Sequence, residues 1–376
     1  MPGGPPFTRL VENLPATVPF VAPEAFERQS GRPLRLRLGA NESLFGPSPR
    51  AIAAIRQAVE QIARYADPES AELRAELARV HGVAPQNIVV CSGIDDLLGL
   101  AVRAFVDAGT VAVTSLGAYP TFNYHVYGFG GQLHRVPYRE DANDLQALGD
   151  AAKGAGARIV YLANPDNPTG TWHTSTALQA FIARLPFDTV LLLDEAYIEY
   201  APSNVAPPID VADARVIRMR TFSKAHGLAG ARIGYGIAAV ETIAAFDKIR
   251  HHFGVNGLAK AGALASLSDP AHIEWVVARV DEGRRDYEEL ARSLGLKTLP
   301  SATNFVSIDV GDPARARALL AALQERGVFV RMPTAPPLDR CIRVTVAGTE
   351  DRREFERIFR ELYPSVDAPS TSMRSG

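Results

Sequence analysis

The sequence predicts an α/β protein, with a large domain built on a mostly parallel sheet and a smaller α+β domain after it. Between about 87 and 240, short apolar runs alternate with stretches of helical periodicity: NIVVCSG, TVAVTS, RIVYLAN, TVLLLDEAY, RVIRMRTFSK and RIGYGIA. Continuous apolar runs of this kind suit strands buried on both faces of a parallel sheet. Further on the rhythm changes to strand NFVSIDV, helix PARARALLAALQERG, strands VFVRM and CIRVTVA, and helix EDRREFERIFREL. That order reads as an α+β unit. A chain of 376 residues, 47% hydrophobic, is also long enough for two domains around a substantial core.

Taken in order, a Pro-rich arm runs to about residue 35. SPRAIAAIRQAVEQI, at 48–62, has Ser48 as cap, Pro49 at the first helical position, and Ile52, Ile55, Val59 and Ile62 on one face. That pattern predicts an amphipathic helix. After the six apolar runs come two long helical patterns, HHFGVNGLAKAGALASL and IEWVVARVDEGRRDYEELARSL, and then the α+β region. The tail DAPSTSMRSG has the composition of a disordered segment.

Several function classes are disfavoured. A net charge of −2, with both signs mixed along the chain, gives no basic stripe for nucleic acid. The two cysteines, Cys91 and Cys341, cannot make a disulfide framework or a CxxC site, which suits a reducing compartment. MPGGPPFTRLVENLP shows no secretory pattern and no stretch reaches membrane-spanning length, so the cytoplasm is expected. Asn41-Glu42-Ser43 matches a glycosylation acceptor only by chance on that reading. Adjacent His251 and His252 on a helix point to different faces, so no metal site is expected. GAGAR, at 154–158, precedes a strand instead of following one, which argues against a nicotinamide fingerprint. A small-molecule partner remains.

In an open parallel sheet, ligands bind beyond the carboxyl ends of the strands. NIVVC ends in SGIDDLL, a glycine turn opening a helix whose free N–H groups suit a phosphate. RIVYL ends in ANPDNPTG, a rigid polar turn. TVLLL ends in DEAY, placing the Asp194 carboxylate at the mouth of a dry core, where it needs a cationic partner, with Tyr197 three residues on. RVIRM runs into Thr221, Ser223 and Lys224, with Arg232 eight positions later. Hydroxyls and an arginine fork suit a phosphate monoester. A nucleophilic lysine must also lose its proton near neutral pH. Carboxylate, phenol, amide, lysine and phosphate cradle together are what pyridoxal phosphate needs when held as a Schiff base.

On NPDNPTG, DEAY and SKAHGLAGARIGY in that order, the sequence resembles the fold-type I pyridoxal-phosphate enzymes of the aminotransferase class I/II family, most closely the histidinol-phosphate aminotransferases. The resemblance covers about 34–363. It implies a seven-stranded, mostly parallel sheet flanked by helices and a homodimer. It also implies an arm over 1–45 that partly joins the small domain, a large domain over 46–260, a small domain over 261–365 and a disordered tail over 366–376. Lys224 is then the Schiff-base lysine and the acid/base, Asp194 the partner of the ring nitrogen, and Asn167 and Tyr197 the partners of the ring 3-oxygen. Ile94 and Asp95 through their N–H groups, Thr221, Ser223 and Arg232 hold the phosphate. Phe122 stacks on the ring, and Tyr65 reaches the phosphate from the other subunit. Arg343 matches the arginine that grips the substrate carboxylate, Arg331 the one near a distal phosphate, and Asn41 falls among the substrate-binding residues.

Two stretches depart from the pattern of that subgroup. Asn41-Glu42-Ser43-Leu44-Phe45-Gly46 stands where NENPYG is usual, and HHFGVNG replaces a Pro-aromatic-Asn-Val-Asn segment. Both are expected where the substrate side chain is read. The activity implied is transfer of an amino group between histidinol phosphate and 2-oxoglutarate. The alternatives are another donor, an aromatic amino acid or arginine, and decarboxylation of the kind threonine-phosphate decarboxylases perform.

Overall fold

The computed structural model describes residues 5–15 and 22–366; the expected disordered tail lies almost wholly outside them. The arm contains helices α1 (Arg9–Asn13) and α2 (Pro23–Ser30) and the two-residue strand β1 (Leu36–Arg37). Next come α3 (Pro49–Ala58), α4 (Ala71–His81), β2 (Ile88–Cys91), α5 (Ile94–Phe105), β3 (Val111–Ser115), α6 (Pro120–Gly128) and β4 (Gln132–Val136). The alternation continues through α7 (Leu145–Ala155), β5 (Ile159–Ala163), α8 (Ser175–Arg184), β6 (Val190–Asp194), β7 (Val216–Thr221), β8 (Gly234–Ile237) and α9 (Val240–Asp247).

These strands form one seven-stranded sheet of order β2-β8-β7-β6-β5-β3-β4, parallel except where β8 lies antiparallel between β2 and β7. The apolar runs are buried on both sides, as their composition requires. In β5 and β6, Ile159, Tyr161 and Leu192 enter one core while Val160, Leu162, Leu191 and Leu193 enter the other. Strand β4 was not foreseen. It is the sheet edge, and Gln132, His134 and Arg135 face solvent, so no apolar run marks it.

After α10 (Gly257–Leu267) and the long α11 (Pro270–Ser293), a three-stranded antiparallel sheet joins β9 (Lys297–Thr298), β10 (Phe305–Asp309) and β12 (Cys341–Thr345). Between them run α12 (Pro313–Glu325) and β11 (Val328–Phe329), and α13 (Thr349–Leu362) closes the described chain. Strand β1 pairs in parallel with β11, and Leu36 and Leu38 enter the core that contains Phe305, Ile342 and Phe355. Cys91 and Cys341 are both buried and free. No helix among the described residues is long and apolar enough to cross a membrane.

Three sequence expectations need correction. The pattern HHFGVNGLAKAGALASL is helical only from Gly257, because Asn256 caps the helix by accepting from Ala259 N–H. Residues 251–256 therefore form a loop. The helix expected over 48–62 is capped by Ser48 as foreseen but ends at Ala58, passing into a short 3₁₀ turn. Its apolar face is split too: Ile55 packs inward, whereas Val59 and Ile62 are exposed. VFVRM yields a strand of two residues, and Arg331 beyond it joins β12 only through an isolated bridge to Arg343.

Candidate active site

The carboxyl ends of β5, β6 and β7 open on a cleft of about 670 Å³, walled on its far side by Arg331, Arg343 and the arm residues 39–42. Lys224 stands three residues after β7. Its Nζ donates to the Asn41 carbonyl at 2.9 Å and lies 5.5 Å from the centre of the Tyr197 ring. Asn41 is buried and left-handed, with φ 54°, a conformation that asparagine tolerates better than most residues. The Asn41 amide donates to the Tyr197 hydroxyl at 3.0 Å, and its N–H donates to Thr345 Oγ1. One residue of the arm thus fixes the lysine, the phenol and the end of β12.

Asp194 is the last residue of β6. Its Oδ2 accepts from the Tyr161 hydroxyl at 2.7 Å and its Oδ1 from Ala196 N–H at 3.0 Å. Burial outweighs these two bonds and raises its pKa to about 6. Asn167 lies in the NPDNPTG turn, which is organised from within by Asp166. That buried carboxylate accepts from Thr169 N–H, Thr169 Oγ1, the Asn143 amide and the Tyr138 hydroxyl. Asn167 is left facing the cleft, where its Oδ1 accepts from Arg343 Nη1 at 2.5 Å.

The first N–H groups of α5 have no preceding turn to satisfy them. Gly93, which starts this helix at φ 88°, is required by the fold: a Cβ there would lie 2.6 Å from Arg232 Nη2. The guanidinium can therefore sit over the helix start. Arg232 is itself left-handed, at φ 56°, held by a bond to the Ala229 carbonyl and by Asp95 at 3.5 Å. Thr221 and Ser223, bonded to each other at 2.9 Å, line the same end. Helix N–H groups, two hydroxyls and a fork of N–H donors make a cradle for a phosphate.

At the other end, Arg331 and Arg343 exchange both backbone hydrogen bonds, which brings two guanidinium-bearing residues side by side. Arg343 has neutral neighbours: the Asn167 amide oxygen, the Gly39 carbonyl at 3.4 Å and the Phe305 ring at 5.1 Å. Burial first, and the charge of Arg331 after it, lower its pKa to about 10. A half-buried cation bonded to no carboxylate among the described residues suits an anion.

All the site residues expected from the sequence line this cleft except Phe122 and Tyr65. Phe122 is corrected. It is fully buried and faces the sheet, stacked on Tyr161 with ring centres 4.9 Å apart. The aromatic residue that lines the cleft is Tyr119, directly before α6. Its place ahead of the helix start is the signal that was missed, since Phe122 lies inside the first turn. Tyr161 was also missed, because in sequence it reads as one more apolar strand residue. Arg135, at the end of β4, lines the rim. Tyr65 is exposed and packs on Phe253, 4.9 Å between ring centres, outside the cleft of its own chain. Of the two departures from the expected pattern, the first lines the cleft only through Asn41 and Glu42 while Phe45 packs on Trp275 at 5.8 Å, and in the second Phe253 packs on Tyr65; none of 43–46 or 251–257 lines this cleft.

The model of the aminotransferase class I and II family matches residues 35–357. The chain belongs to that family. The histidinol-phosphate aminotransferase 2 of Carboxydothermus hydrogenoformans is 36% identical over 92% of this chain and 96% of its own length. The histidinol-phosphate aminotransferase of Bacillus subtilis is 33% identical over 90% and 94%. Among solved structures, the histidinol-phosphate aminotransferase of Sinorhizobium meliloti in complex with pyridoxal-5'-phosphate superposes with a TM-score of 0.94. It is 47% identical, over 97% of this chain and all of that one. The match to the aminotransferase family begins at residue 35, one residue before β1 pairs with β11, and so takes in only the end of the arm.

Proposed function

We infer that this protein is a pyridoxal-phosphate-dependent aminotransferase that moves an amino group between histidinol phosphate and 2-oxoglutarate. The observation that carries the reading is a single cleft with a phosphate cradle at one end, two adjacent arginines at the other, and a lysine, a buried carboxylate and a phenol between. The donor set fits the cofactor. Arg232, Thr221, Ser223 and the N–H groups of Ile94 and Asp95 would hold its phosphate. Asp194 would hold the proton on its ring nitrogen, and Asn167 and Tyr197 would bond its 3-oxygen. Tyr119 offers the aromatic face. When bound, pyridoxal phosphate supplies an electron sink for the charge left on Cα after a proton departs.

The chain's residues do the rest. Lys224 is the only lysine lining the cleft among the described residues, so it attaches the cofactor and carries the Cα proton. Asn41 positions it through one carbonyl. Histidinol phosphate has its phosphate-bearing carbon where an amino acid has its carboxylate. Arg343 and Arg331 together therefore suit that phosphate in one half-reaction and the carboxylates of 2-oxoglutarate in the other.

We extend the reading to a homodimer in the cytoplasm. Tyr65, with Phe253 and Ile62 exposed beside it, would reach the phosphate cradle of a second copy. The division of the chain at about 45, 260 and 365 belongs to the same reading. A panel of donors with 2-oxoglutarate tests the substrate: histidinol phosphate, aromatic amino acids and arginine, with L-threonine phosphate followed for carbon dioxide. Histidinol phosphate should give the highest kcat/KM. A faster aromatic donor, or release of carbon dioxide from threonine phosphate, would replace this reading.

A further inference from the structure

We propose that Tyr161 is a positioning residue: its hydroxyl, braced by Phe122 behind it, fixes the Asp194 carboxylate in the orientation that receives the ring nitrogen of the cofactor. The proposal rests on the reading that Asp194 meets that nitrogen. The pleat makes the contact possible. Asp194 lies directly across from Ala163 in the β5–β6 ladder, so Tyr161, two residues earlier on β5, shares its face of the sheet. A side chain as long as tyrosine spans that diagonal, and the hydroxyl arrives 2.7 Å from Oδ2.

With Ala196 N–H on Oδ1 at 3.0 Å, each carboxylate oxygen has one anchor and keeps lone-pair capacity for a further donor. Two anchors on two different oxygens set the carboxylate plane. The phenol ring is held in turn. Phe122 stacks on it with planes 19° apart, and both rings are almost wholly buried. Burial first, then the charge of Asp194, keep the Tyr161 phenol protonated, so it remains a donor. The charged groups that face Asp194 from the other elements are Asp95 at the start of α5, which disfavours its ionised form, and Lys224 after β7, which favours it. Neither touches it through a hydrogen bond. Tyr161 is the one side chain among the described residues that donates to this carboxylate.

Asp194 must be ionised to receive a protonated ring nitrogen, and the Tyr161 bond favours that form. Tyr161→Phe keeps the ring and its stack on Phe122 but removes the donor. Apoprotein is titrated with pyridoxal phosphate between pH 5 and 9, and binding is read from the visible absorbance. Wild-type affinity should fall as the pH drops below about 6. In Tyr161→Phe that fall should begin about one pH unit higher, leaving affinity about threefold weaker at pH 6.5, nearly tenfold weaker at pH 5 and nearly unchanged at pH 8.5. Changes in the cofactor's own ionisation are common to both proteins and cancel. The variant's Tm at pH 8.5 should stay within a few degrees of wild type, since the stack survives. An unshifted fall, or an equal loss of affinity at every pH, assigns Tyr161 a purely structural role and overturns the proposal. A wild-type protein that takes up no pyridoxal phosphate at any pH removes the functional reading itself, a different outcome from an unshifted variant.

Discussion

At Arg343 a half-buried cation sits among an amide oxygen, a carbonyl and an aromatic face, and on the proposed reading the missing counter-charge is what the substrate supplies. Arg343→Ala should lower kcat/KM for both histidinol phosphate and 2-oxoglutarate by about 100-fold, the worth of two hydrogen bonds to a charged group. Arg331→Ala should raise KM for histidinol phosphate more than for a monocarboxylic oxo acid, because the phosphate offers the second charge. Steady-state kinetics with each substrate varied in turn checks both. Strand-end chemistry made Lys224, Asp194, Asn167, Arg232 and the hydroxyls legible from sequence, because each follows a buried apolar run. Phe122 and Tyr119 were exchanged for a physical reason. Tyr119, just ahead of the helix start, faces the cleft while Phe122, in its first turn, faces the core, and the start that Pro120 marks decides between them.

Glu195, next to Asp194, joins two strands. It is buried and accepts from Arg218 and from Arg220, both on β7, one carboxylate between two guanidiniums. Its pKa is lowered despite burial, with Arg220 and Arg218 the opposing causes. The pair's contribution is therefore present above the unfolded carboxylate range and lost as pH falls through the depressed value. Glu195→Gln should destabilise the protein by about 3–5 kcal/mol at pH 7, leaving two buried cations undercompensated, as denaturant unfolding would read. Glu199 has the opposite sign. Its Oε2 is sequestered without a partner, and burial raises its pKa to about 7. The native state then holds a proton that the unfolded chain releases, so stability falls as pH rises from about 4.5 to 7. Glu199→Gln should raise Tm at pH 8 by roughly 1–3 °C and change little at pH 5. Sequence reading took DEAY for its first and last residues only. Partners on a neighbouring strand cannot be read from a local motif, and strand β4, with no buried run, left no local signal at all.

For the whole molecule, the alternation of apolar runs and helical patterns was enough to foresee the α/β architecture, since strands buried on both faces leave a signal independent of tertiary detail. The path of the arm was less legible: the β1–β11 pairing spans almost the length of the chain and involves two residues from each side. Exposed Ile62, Tyr65 and Phe253 bear on the proposed homodimer. If Tyr65 completes the cleft of a second copy, chains carrying Lys224→Ala and Tyr65→Ala, each impaired alone, should regain activity when unfolded and refolded together. One cleft in the mixed dimer then has both residues intact. No gain over the separate proteins would place Tyr65 outside the site. On the proposed reading Lys224 and its cleft hold pyridoxal phosphate for transamination, and the visible spectrum of the purified protein on rapid mixing with histidinol phosphate checks this. Wild type should show a visible band that histidinol phosphate bleaches and 2-oxoglutarate restores, and Lys224→Ala should lose this cycle. A wild-type protein that stays colourless after reconstitution, or a band that histidinol phosphate leaves unchanged, would rule that chemistry out.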